Sequence, residues 1–178
     1  MSTSPPTALN LYICHRSGRS DSPALDLVAA LEGLSRGRLV AHCSANFEFG
    51  RTWHADTARA LDSADVMLLL LGSKDLDWDW WLCEVGYFSA RHPGAPVLCL
   101  HRPGIQIPAP LQAWNPGPAD QARVHSLLRD LLVEPPHRLR PDILEPDKAP
   151  VLKMLTGMIL RCCAASQSAV QDESSRPA

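Results

Sequence analysis

DVMLLLLG, residues 65–72, decides the fold. From Val66 to Leu71 every side chain is apolar, bounded by an aspartate and a glycine. This is the longest such run in the chain and is far too short to span a bilayer. An amphipathic strand would alternate. A continuous run of this length reads as a strand covered on both faces, the signature of a parallel sheet.

Working outward, the neighbours fit that reading. ALNLYIC (8–14), RLVAHC (38–43) and PVLCLH (96–101) are further short strand-like runs. Between them lie helical patterns. One starts with Ser22 as N-cap and Pro23 at its first position and ends near Leu34, with Leu27, Leu31 and Leu34 on one face. The second covers about His54 to Ser63, and the third about Asp79 to His92, closed by Gly94. The β-α-β-α-β-α-β alternation predicts an α/β fold, an open parallel sheet of about five strands with helices on both faces.

Twelve of the 16 prolines fall between Pro93 and Pro150, so the second half is less regular. A fifth short strand is expected near Leu111–Trp114, followed by a helix over about 119–132. EPPHRLRPDILEPDKAP reads as an irregular connector, leading to a last helix over about 150–165. The expected division is an N-terminal tail (1–7), the domain proper (8–133), a connector with its helix (134–165) and a disordered tail (166–178).

Composition narrows the function classes. With 178 residues, 46% hydrophobic and 20% charged, the chain suits one globular domain. A net charge of -2 gives no reason to expect nucleic acid or an anionic membrane as partner. MSTSPPTALN lacks the basic and apolar regions of a signal peptide, so a cytoplasmic location is expected. The six cysteines form no C-x-x-C pair and no zinc-type spacing, and read as reduced, mostly buried residues.

In an open parallel sheet, ligands bind at the carboxyl ends of the strands. Those ends carry HRSGRSDS, SANFEFGRTW, GSKDLDWDW and HRPGIQ. The segment DLDWDWWLCEVGYF (75–88) stands out, because one carboxylate, Glu84, lies within an almost wholly apolar and aromatic run. Trp80 shares its helix face at i, i+4, with Tyr87 and Phe88 continuing that face. Glu84 is therefore either a rim acid reaching water or a site acid directed into a ligand-sized hollow. Asp75, Asp77 and Asp79 alternate as in a calcium loop, but Trp80 and Gly86 occupy its glycine and glutamate positions, so no metal is expected. HRSGRS offers Arg16, Arg19 and Ser17 beside a helix N-terminus, which suits phosphate; the alternative is a solvated turn. His15 is the histidine best placed near such a cleft. Trp53 is either an aromatic over a ligand or the staple of its own helix.

Taken together, three segments resemble Toll/interleukin-1 receptor (TIR) domains. LYICHRSGRSDSPALDLVAAL is similar to the opening strand and helix, FEFGRTWHADTARALDSADVMLLLLGS to the BB loop, second helix and third strand, and WWLCEVGYF to the W-x-x-x-E signature with Trp80 and Glu84. The match spans roughly residues 8–133. CHRSGRS replaces the usual opening, and DLDWDWW carries an extra tryptophan.

The resemblance implies a flavodoxin-like fold and, as in bacterial members, NAD+ nucleosidase activity with NAD+ as substrate and no cofactor. Glu84 would be the catalytic glutamate. His15, Arg16, Ser17, Phe47, Trp53, Ser73 and Trp80 would line the nucleotide site. It also implies self-association through TIR–TIR contacts, a role in bacterial immune defence, and a fused or separate sensor. Two alternatives stay open: a non-enzymatic TIR scaffold, and a nucleoside deoxyribosyltransferase-like enzyme, which EVGYFSARHPGAPVL also resembles.

Overall fold

A computed structural model describes residues 8–15, 23–44, 53–72, 78–133 and 148–164, with the backbone alone at 53, 54 and 80. The strands are β1 (Leu9–Cys14), β2 (Leu39–Cys43), β3 (Val66–Leu71), β4 (Val97–His101) and β5 (Gly117–Pro118). The helices are α1 (Pro23–Ser35), α2 (Trp53–Ser63), α3 (Trp78–Arg91), α4 (Ala109–Gln112), α5 (Gln121–Leu132) and α6 (Lys148–Ala164). All strand pairs are parallel, in the order β2-β1-β3-β4-β5. This is the flavodoxin-like, doubly wound order, and its switch point lies between β1 and β3.

The run 66–71 behaves as its composition dictates: all six residues are buried. Because side chains alternate along a strand, Val66, Leu68 and Leu70 pack into one core and Met67, Leu69 and Leu71 into the other. The first core lies under α1, α5 and α6, whose Leu27, Leu31, Val124, Leu128, Leu155 and Ile159 fill it. The second is closed by α2 and α3 through Leu61, Trp81, Val85 and Phe88.

Two expectations change. The fifth strand is Gly117–Pro118, and the segment expected to form it carries α4 instead. Proline at the start of a helix loses no hydrogen bond and has its backbone preset, so Pro110 favours a helical turn that buries Leu111. α6, expected outside the domain proper, packs against α1, α5 and β3 and is part of the first core. At Gly72 an added Cβ would stand 2.7 Å from the Cys162 carbonyl oxygen, so the end of β3 and the last turn of α6 approach as closely as glycine allows.

Asp120 caps α5 by accepting from the Arg123 amide at 2.8 Å. The third helix ends as expected beside Gly94, whose φ of +82° lets the chain reverse. The expected disordered tail and N-terminal tail lie outside the described residues, as do residues 134–147 of the connector.

Candidate active site

The site is built where β1 ends. Tyr12 and Cys14 are two residues apart on β1 and point to the same face, toward α3. On α3, Trp81, Glu84, Val85 and Phe88 follow the 3-4-7 spacing of a buried helix face. Glu84 is therefore directed inward at the sheet and is 0% exposed.

Its carboxylate is held from both sides. The Tyr12 hydroxyl donates to Oε1 at 2.8 Å, and the Cys14 thiol donates to Oε2. Burial, reinforced by the adjacent carboxylate, pushes the Tyr12 hydroxyl far above its ordinary range. The same causes, in the same order, push the Cys14 thiol well above its own. Both groups thus keep their protons at neutral pH and remain donors to Glu84.

Helix α3 is positioned by contacts with α2. Arg91 pairs with Asp62 at 2.8 Å, Tyr87 donates to the same carboxylate at 3.1 Å, and His92 Nε2 donates to the Leu61 carbonyl at 2.9 Å. The hydrogen bond from Arg91 holds the Asp62 carboxyl below its usual range. These ties tether α3 to α2, while the buried apolar face of Trp81, Val85 and Phe88 packs on the sheet in the rotation that turns Glu84 inward.

Of the sequence-selected residues, Glu84 meets β1 at Tyr12 and Cys14, beside the switch point between β1 and β3. It does not open onto a hollow: the carboxylate is covered in the packed face between β1 and α3. Tyr87 does not continue the Glu84 face; it is 36% exposed and turned to Asp62, and Trp81 occupies the buried place.

His15 is also placed elsewhere. One residue beyond Cys14, its ring faces the other side of the sheet, where Nε2 donates to the Cys162 carbonyl of α6 at 3.1 Å. A carbonyl only accepts, so the neutral ring carries its proton on Nε2. Burial lowers the His15 pKa, opposed by that hydrogen bond. The structure therefore separates His15 from Glu84 by the thickness of the sheet. Arg16, Ser17, Phe47 and Ser73 lie outside the described residues, as do the side chains of Trp53 and Trp80.

Tyr12 and Cys14 were not singled out from sequence, although a signal existed. Two side chains with polar tips at alternate positions of an otherwise apolar strand must share a face, and each needs a partner when buried. No disulfide joins the six cysteines, all of which are among the described residues; five are buried and Cys83 is exposed. Among the described residues, no helix is long and apolar enough to cross a membrane.

Comparison of the chain with protein-family models, with curated proteins and with solved structures finds no match.

Proposed function

We propose that the chain is an NAD+ nucleosidase of the TIR type, with Glu84 as the catalytic group. The observation that carries this reading is the carboxylate itself, fully buried at the carboxyl end of β1 beside the switch point and oriented by Tyr12 and Cys14. Burying a carboxylate costs several kcal/mol unless hydrogen bonds compensate it. A purely structural role needs no acid there, since an apolar side chain would pack without that cost.

The chemistry suits such a group. In NAD+ the nicotinamide is a cationic leaving group: the ribose C1′–N1 bond breaks, its electron pair returns to the ring, and neutral nicotinamide departs. Positive charge develops on the ribose as an oxocarbenium ion. A fixed carboxylate in a water-poor setting stabilises that charge without reorganising. Water then attacks C1′ and releases a proton to give ADP-ribose, or an adenine nitrogen captures C1′ to give a cyclic isomer.

Because Glu84 is covered between β1 and α3, this reading requires that packing to open to substrate; a ribose hydroxyl then replaces the Cys14 thiol, the weaker of the two donors, on Oε2. Tyr12 then keeps the carboxylate aligned. The raised pKa values of Tyr12 and Cys14 make both poor proton donors. That favours a leaving group needing no acid over the neutral bases of deoxynucleosides, which leave only when protonated. Self-association in the cytoplasm is the proposed activating step, with immune defence as the setting.

The test incubates purified protein with NAD+, dilute and at high concentration or with a crowding agent, and follows nicotinamide. Release lost in Glu84→Ala is expected. No release in any assembled state, or equal release by the variant, would overturn the reading. Unchanged partner signalling by Glu84→Gln would favour the scaffold, and base exchange between deoxynucleosides the transferase.

A further inference from the structure

A concavity opens at the carboxyl edge of the sheet, apart from the covered carboxylate of Glu84. It has a volume of about 640 Å³ and is lined by Trp78, Ile105, Gln106, Ile107, Pro108 and Gln112. That volume lies in the range of small-molecule sites. One wall is the first residue of α3; the other is the segment after β4, which turns at Gly104 with φ +83°. Parallel strands put the end of β4 and the start of α3 at the carboxyl edge, where Glu84 meets Cys14.

Its distance from Glu84 follows from the fold. Trp78 precedes Glu84 by six residues on α3, about 9 Å along the helix axis. β4 is two strands from β1, about 10 Å across the sheet. This is the scale that separates the two nucleosides of a dinucleotide.

The lining chemistry names the ligand class. Trp78 offers an indole, Ile105, Ile107 and Pro108 offer apolar walls, and Gln106 and Gln112 are exposed amides that can both donate and accept. Gln112 Nε2 is already engaged by the Ile107 carbonyl at 3.3 Å, which props that wall. Among the described lining residues none is charged, so the cleft suits a neutral heterocycle with donors and acceptors on its edge, and not a phosphate.

We propose that this cleft receives the adenine of the dinucleotide whose nicotinamide ribose is held at Glu84. The inference rests on the NAD+-cleaving reading for its second half only, because adenine recognition can be measured without turnover. It makes Trp78 and the 104–108 segment determinants of substrate choice: a dinucleotide is preferred to a mononucleotide lacking the adenylate.

The test uses ADP, which carries adenine without nicotinamide, titrated by calorimetry into the wild-type chain, Trp78→Ala, Trp78→Phe and Ala109→Trp. Ala109 is exposed on the cleft wall, so a bulky ring there fills the space while α3 is untouched. Thermal melting checks that each variant folds. Trp78→Ala and Ala109→Trp should each weaken ADP about tenfold, the scale of losing one base–aromatic stack, while Trp78→Phe retains most of the affinity. In turnover the same two variants should lose a similar factor in kcat/KM for NAD+, through KM, with nicotinamide mononucleotide unaffected. Absence of ADP binding, affinity indifferent to both substitutions, or equal losses on the two substrates would overturn the inference. Wild-type ADP binding sensitive to both variants but without nicotinamide release would uphold the cleft and remove the nucleosidase reading.

Discussion

One sheet carries two unlike faces. On the side of α1, α5 and α6, β1 contributes Leu9, Leu11 and Ile13. Of the polar groups buried there, His15 reaches the Cys162 carbonyl of α6, while Thr156 and Ser35 are satisfied within their own helices. Thr156 donates to the Leu152 carbonyl at 2.7 Å, and Ser35 to the Glu32 carbonyl at 2.9 Å. On the side of α2 and α3, the same strand contributes Tyr12 and Cys14, directed at a buried carboxylate from 70 residues away or more. Among the described residues, the buried side-chain atoms without a hydrogen-bond partner, Thr57 Oγ1, Trp81 Nε1 and Ser89 Oγ, all belong to α2 and α3. Unsatisfied or costly polar groups gather at functional sites, because a sequence selected for stability alone would replace them. The first face holds the fold; the second accepts a cost that the proposed chemistry would explain.

That contrast can be broken by substitution. The largest effect is expected on the first face: Leu11→Ala, at a side chain 0% exposed, should lose about 2–5 kcal/mol in urea unfolding. A loss below that of Tyr12→Phe would erase the distinction between the faces. Gly72→Ala comes next, at about 1–3 kcal/mol, since the new methyl group meets the backbone of Cys162 at the end of α6. A stability unchanged from wild type would mean that α6 is not seated on β3 as described.

Tyr12→Phe removes one donor from Glu84 and should cost about 1–2 kcal/mol, with the Cys14 contact retained. The smallest effect sharpens the role of His15. Its pKa is lowered on folding, so below its ordinary value near 6.5 the unfolded chain binds the proton more readily. Stability must therefore fall as pH drops through that value. Melting temperatures of wild type and His15→Gln between pH 8 and 5 should converge toward the acid end, and parallel curves would contradict the assignment.

The fold was legible because its evidence is local and repeated. The unbroken run 66–71 requires cover on both faces, and each helix between strands shows its own periodicity. The short fifth strand was not legible: Gly117 and Pro118 have no strand-like pattern, and they pair only with Leu100 and His101. Their place is set by tertiary context. Glu84 could be singled out as an acid among apolar neighbours, but whether it faced outward depended on helix rotation, and the buried side of α3 carries Trp81, Val85 and Phe88 with it. The place of His15 was decided by one residue of strand register, which sent its ring to the α6 side, beyond what loop position indicates.

The most direct measurement is the rate of nicotinamide release from NAD+ by wild type and by Glu84→Gln under assembling conditions, with melting temperatures recorded on the same samples. The amide nearly preserves shape and removes the charge. Release should fall at least about a hundredfold, the scale for losing a preorganised charge at a transition state, with melting temperatures remaining close. Equal rates from two equally folded proteins would contradict the account, leaving Glu84 a buried structural acid and nothing more.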